Sequence, residues 1–171
     1  MVAATPMFLA DAALGRLATW LRLLGYDTLY ARDMSGAELV RRAAVDGRIL
    51  LTRNTQLLRR RALPPHLLVL SNDFRAQLQQ VVDACGLAAT PAFLARCSRC
   101  NTALESVDGA TARARVPRYV GETQTSFARC PTCARIYWPA THVERMRREL
   151  ERMGLPTDDT RPATGHTRRC R

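Results

Sequence analysis

The sequence predicts an α/β fold in which a parallel sheet is flanked by helices and followed by a small zinc ribbon and a C-terminal helix. Three observations carry this. Short apolar runs alternate with helical patterns over residues 7–92. The alternation stops at Phe93, after which two C-x-x-C pairs appear among scattered prolines. A helical period then returns from Thr141 to Met153.

Met7-Phe8-Leu9-Ala10 reads as the first strand, and Leu14, Leu17, Ala18, Leu21 and Leu24 repeat at helical spacing before Gly25 in a C-cap position. Thr28-Leu29-Tyr30 is the second strand. Leu39, Val40 and Ala43 then share one face of a helix over 38–44, closed by Asp46-Gly47. Ile49-Leu50-Leu51-Thr52 is the third strand, with a helix expected over 55–61. Leu67-Leu68-Val69-Leu70 is the fourth, followed by an amphipathic helix through Phe74, Leu78, Val81, Val82 and Cys85 up to Gly86. Strands of this length, each followed by a helix, imply parallel pairing with both sheet faces covered.

Three segments follow: an α/β domain over 1–92, a ribbon plus C-terminal helix over 93–153, and a tail over 154–171 rich in Pro, Gly and charge, for which disorder is expected. Val143, Met146, Leu150 and Met153 form the stripe of the last helix. The 171 residues are 47% apolar, with no run of about 18 apolar residues and no secretory leader pattern. A cytoplasmic protein with reduced thiols and no membrane partner is the expectation. All 26 basic residues are Arg, against 15 acidic ones, for a net charge of +11. Arginine binds phosphate bidentately and stacks on bases, so RNA or DNA is the favoured partner.

Asx residues recur where the strands end: Asp11 after the first, Asn54 after the third and Asn72-Asp73 after the fourth, with Asp33 three residues past the second. In a parallel sheet these ends share the edge where ligands bind. Converging carboxylates repel unless a cation lies between them, and oxygen ligands suit Mg²⁺ or Mn²⁺, which activate water against a phosphodiester. Arg16, Arg53 and Arg75 lie close by in sequence and would hold phosphate. The same Asx positions also open helices, where Asp and Asn are preferred caps, and the residue types alone leave both readings open.

Cys97-Ser98-Arg99-Cys100 and Cys130-Pro131-Thr132-Cys133 have the spacing of two knuckles that enclose a structural Zn²⁺ in four thiolates, with no open catalytic position. A disulfide pair fits poorly with a reducing compartment, and a redox C-x-x-C fits poorly outside a βαβ unit. Cys85 reads as core and Cys170 as a tail thiol; His66, His142 and His166 carry no motif. Arg96, Arg99, Arg129 and Arg135 flank the knuckles, and Tyr137-Trp138 follow them. These aromatics either stack on unpaired bases or pack the ribbon against the first domain.

The runs FLADAALGRLATWLRLLGYDTLYARD at 8–33, DGRILLTRN at 46–54, RCSRCNTAL at 96–104 and FARCPTCARIYWPATHVERMR at 127–147 together resemble the Mut-seven C-terminal RNase family, a PIN-like nuclease domain with an appended zinc ribbon. The resemblance implies a ribonuclease whose acidic residues bind Mg²⁺ or Mn²⁺. Asp11 would be the first metal ligand, Asp33 or Glu38 the second, and Asp73 a later acid, with a homodimer admitted by analogy. One departure stands out: an aspartate normally follows Thr-Arg in the family, and here it is Asn54. Losing that charge lowers cation affinity. The alternative it opens is a non-catalytic RNA-binding or ribosome-associated protein in which the ribbon does the recognition. For the leading reading, Asn54 is a weak ligand or water anchor, Arg16 and Arg53 neutralise phosphate, and Arg99, Arg135 and Trp138 contact RNA. Truncating Asp11 is expected to abolish cleavage at a cost of roughly 1 kcal/mol from a lost cap.

Overall fold

The computed structural model describes residues 5–87, 95–139 and 141–153, the last helix by backbone alone over 141–146. Cys170 and the expected tail lie outside the described residues, as do the side chains of Val143, Met146 and His142. Four strands form a parallel sheet: β1 (Phe8–Ala10), β2 (Thr28–Tyr30), β3 (Ile49–Thr52) and β4 (His66–Leu68), in the order β2-β1-β3-β4. Helices α1 (Gly15–Leu23), α2 (Gly36–Asp46) and α3 (Phe74–Cys85) connect or follow them.

Successive strand residues face opposite sides, and this alternation divides the core in two. Phe8, Ala10, Leu51 and Val69 pack with Leu17 and Leu21 of α1 and Leu78 and Val81 of α3. Leu9 and Leu50 point the other way, toward Leu39 and Ala43 of α2 and Leu57. Both faces are thus covered, as near-continuous apolar strands require.

The expected third helix is instead a single 3-10 turn, Leu57–Arg59. Only Leu57 in that stretch finds a buried place, and Pro64 and Pro65 bar the chain from extending a helix to a stable length. Helix α2 begins at Gly36, two residues before the expected start at 38. Ser35 caps it, and Glu38 returns its carboxylate to the Ser35 N–H at 2.8 Å, a reciprocal capping box.

The second unit contains an antiparallel sheet of β5 (Glu105–Val107), β6 (Phe127–Arg129) and β7 (Ile136–Tyr137). Two short helices, α4 (Gly109–Arg113) and α5 (Arg118–Thr123), are inserted between β5 and β6. They were not legible in the sequence because each is barely a turn or two long. Ala112, Val120 and Phe127 form a small core, with Trp138 packed against it. Trp138 therefore serves the ribbon's own interior. Helix α6 (Thr141–Arg152) returns to the α/β layer, where Leu150 is fully buried in the larger core and Met153 packs beside it. Glu149 pairs with Arg75 at that junction.

Candidate functional site

The strand order places the start of the chain centrally: the sheet grows from β1 to β2 on one side, then to β3 and β4 on the other. The reversal falls between β1 and β3, where open α/β sheets leave a crevice at the carboxyl ends of their strands. A cleft of 370 Å³ opens there, and Asp11, Arg53 and Asn54 line it together with Met34, Gly36 and Leu39.

Asp11 is 7% exposed and tightly held. Its Oδ1 accepts the Ala13 N–H at 3.0 Å, which caps the 3-10 turn leading into α1. Its Oδ2 accepts the Thr52 hydroxyl at 2.6 Å and the Arg53 N–H at 2.8 Å. The carboxylate thus ties the end of β1 to the end of β3. Thr52 was missed in the sequence, although it stands in the LLTRN run; its hydroxyl also accepts the Asn54 N–H at 3.0 Å. Asn54 is exposed and folds its own Oδ1 onto the Gln56 N–H at 3.0 Å.

The other acidic candidates are not among the residues that line the cleft. Asp33 is exposed on the bend between β2 and α2 and is not among the lining residues. Asp73 caps α3, its Oδ1 accepting the Arg75 and Ala76 N–H groups, and it too lies outside the cleft lining. Glu38 is committed to its capping box. Hydrogen bonds from Ser35 hold its carboxyl below the usual range. Arg16 stacks over the Phe74 ring at 3.6 Å to the centroid, with Arg75 over the same ring at 4.9 Å, whereas Arg53 lines the cleft.

The cysteines converge. The Sγ atoms of Cys97, Cys100, Cys130 and Cys133 all lie within 4.8 Å of one another, the one such group of three or more among the described residues. Separations of 3.2 Å for Cys97 and Cys100, 3.7 Å for Cys97 and Cys133 and 3.5 Å for Cys100 and Cys130 exceed a disulfide length. They approach the edge of about 3.8 Å that a ZnS₄ tetrahedron has at a Zn–S distance of about 2.3 Å. The donor set is soft and closed, so it can hold a metal such as zinc.

Each knuckle is built alike: Asn101 and Ala134, each just after the second cysteine, take left-handed φ of 68° and 58° and donate N–H to the carbonyls of Cys97 and Cys130. Without a metal, four thiols this close cannot all ionise. Burial works to raise Cys97, but hydrogen bonds from Tyr137, Cys100 and Arg99 bring it down to about 6; burial and its sulfur neighbours push Cys100 up to about 12. Arg99 and Arg135 are exposed beside the knuckles, and Trp138 is half-buried.

A doubly wound parallel sheet with an aspartate-headed cleft at its switch point, joined to a four-cysteine ribbon, defines an α/β domain with an appendage able to hold a metal. The family model for the Mut7-C RNAse domain matches residues 6–150, and the chain belongs to that family. Its role therefore lies with RNA and nuclease chemistry. No curated protein and no solved structure matches the chain at a significant level. No helix among the described residues is long and apolar enough to cross a membrane.

Proposed function

We propose that this chain is a metal-dependent ribonuclease whose phosphodiester hydrolysis takes place in the cleft between the ends of β1 and β3. The observation that carries the reading is the position of Asp11: a buried carboxylate, fixed by three donors, at the mouth of the crevice where such sheets bind ligands. A carboxylate has about four acceptor sites, and three donors leave one, on Oδ1. Asn54 Oδ1 retains one acceptor site beside its bond to Gln56.

Those two oxygens suit a hard divalent cation that keeps several waters and completes its shell with substrate phosphate. Asp11 and Asn54 would hold it; when bound, it supplies activated water and neutralises charge on the scissile phosphate. The rest falls to the chain. Thr52 and the Arg53 backbone orient the Asp11 carboxylate, and the Arg53 guanidinium pairs with phosphate oxygens. Met34 and Leu39 form the apolar wall of the cleft. Asp33 and Asp73, outside the lining, serve the ends of their own elements in this reading. Zinc in the cysteine quartet shapes the ribbon, whose exposed Arg99 and Arg135 extend the phosphate-binding surface over a nuclease domain at 1–92 and a ribbon at 93–153.

With a single carboxylate in the cleft, cation affinity is low and cleavage requires Mn²⁺ or Mg²⁺ in excess. The test is cleavage of labelled single-stranded RNA by the purified protein, with and without Mn²⁺, beside Asp11→Asn. Metal-dependent cleavage that disappears in the variant is the expected result. If both proteins bind RNA and neither cuts it, the reading fails and the chain is a non-catalytic RNA-binding protein, the alternative that Asn54 favours.

A further inference from the structure

The first cysteine knuckle is gripped from outside the ribbon. Arg22, near the end of α1, is 6% exposed. Its Nη1 donates to the carbonyls of Ser98 at 3.0 Å and Arg99 at 2.8 Å, the two residues between Cys97 and Cys100, while its Nε donates to Thr28 O at 2.8 Å. Asn101, just past Cys100, reaches back the other way. Its Oδ1 accepts the N–H of Thr28 at 3.0 Å, and its Nδ2 donates to Asp27 Oδ1 at 2.8 Å. Asp27 in turn meets Arg48 at 2.5 Å, and Arg48 donates to Phe8 O on β1 at 3.2 Å.

These contacts join elements more than 70 residues apart, and they are polar; the Thr28–Asn101 bond is buried and the other three are part-buried. Thr28 is fully buried at the start of β2, so its N–H depends on Asn101 for a partner. The second knuckle differs: among the described residues, its hydrogen bonds stay within the ribbon. A metal bound by four thiolates carries a net charge of about −2, and a buried guanidinium against the knuckle's carbonyls compensates it. Arginine's planar fork can hold three carbonyls at once, which an ammonium on a flexible stem cannot do with the same fixed geometry. Groups that orient metal-ligand loops in this way tune metal retention by about 10- to 100-fold.

We propose that the metal centre organises the α/β domain as well as the ribbon: Arg22 is a positioning residue of the zinc site, and through Asn101 the loaded knuckle caps the β2 edge of the sheet. Metal loss then frees the start of β2 along with the ribbon. The consequence reaches toward the cleft, because β2 runs through the bend at residues 32–33 to Met34 and to Gly36 at the start of α2, both of which line it.

The experiment uses the full chain loaded with zinc and involves no RNA, so its outcome is independent of the ribonuclease reading. Amide hydrogen exchange is followed before and after zinc removal by a strong chelator. Exchange at residues 26–31 is expected to accelerate by at least about tenfold, in step with 95–104, while 40–52 keeps its protection. Unchanged exchange at 26–31 after zinc loss overturns the proposal. In a second arm, zinc transfer to a chromogenic chelator is expected to be about tenfold or more faster from Arg22→Met than from the natural protein, with Arg22→Lys between them. Equal rates for all three overturn the role of Arg22. Should Arg22→Met fail to fold, the Lys variant and the exchange arm decide the question.

Discussion

Replacing Asp11 by alanine will cost far more stability than the loss of a helix cap. The carboxylate accepts three hydrogen bonds, and two of them, from the Thr52 hydroxyl and the Arg53 N–H, join β1 to β3. A hydrogen bond to a charged group contributes about 1.5–3 kcal/mol, so these two amount to roughly 3–6 kcal/mol gross, with about 1 kcal/mol more for the cap on Ala13. Two effects offset part of this. Water from the open cleft can reach the Arg53 N–H, and a charge no longer has to be held at 7% exposure. The net expectation is about 3 kcal/mol for Asp11→Ala, and about 1–2 kcal/mol for Asp11→Asn, which keeps one acceptor oxygen. Asp73→Ala supplies the control, since Asp73 is exposed and acts as a cap alone; it should cost about 1 kcal/mol. Urea unfolding of the four proteins, with m values unchanged, gives the comparison. An Asp11→Ala value within about 0.5 kcal/mol of Asp73→Ala would refute the reasoning.

Other outcomes follow from the same geometry. Ala134 sits at φ 58° after the second knuckle, so Ala134→Gly should stabilise the zinc-loaded protein by roughly 0.5–1 kcal/mol, read as a rise in Tm; a fall in Tm would contradict it. Leu150 is fully buried in the larger core, and Leu150→Ala should cost about 2–5 kcal/mol by denaturant unfolding; a loss below about 1 kcal/mol would mean that α6 does not dock there. Burial works to raise the Asp27 carboxyl, but hydrogen bonds from Arg48 and Asn101, with the charges of Arg48 and Arg96, hold it below the ordinary range. Its contribution is therefore complete above the unfolded-chain value of about 3.9 and is lost as pH falls below it. The Tm gap between the natural protein and Asp27→Asn should accordingly shrink on acidification, and a gap independent of pH would contradict the assignment.

The sheet was legible in the sequence because short apolar strands alternate with helical patterns from Phe8 to Cys85, the 3-10 segment after β3 excepted, and the zinc ribbon because C-x-x-C spacing has few other uses. Which of the expected acids share the cleft lining was not legible. Asp33 follows β2 and Asp73 follows β4, and the order β2-β1-β3-β4 sets those strands at opposite edges, three spacings or about 14 Å apart. Asp11 and Asn54 follow neighbouring strands and do line one cleft. A sequence shows which residues end strands; strand order decides which ends meet. Asx residues compound the difficulty, since Asp11 and Asp73 both cap and Asn54 forms a local turn. Trp138 and Arg16 illustrate a different limit. Each carries a side chain suited to RNA, and each is engaged with an aromatic or apolar neighbour that only the folded chain supplies. Arg22 and Asn101 lay beyond any local pattern, because their partners lie 73 to 77 residues away.

The claim that the Asp11 cleft cuts RNA with a loosely held cation is tested most directly by Asn54→Asp. Restoring a second carboxylate beside Asp11 raises the negative charge of the site. The measurement is the rate of cleavage of single-stranded RNA against Mn²⁺ concentration, for the natural protein, Asn54→Asp and the double variant Asn54→Asp/Asp11→Asn. The account predicts that Asn54→Asp lowers the half-saturating Mn²⁺ by about tenfold or more, in line with a coupling of about 1.4 kcal/mol, and that the double variant loses the gain. The same Mn²⁺ dependence in Asn54→Asp as in the natural protein would contradict it.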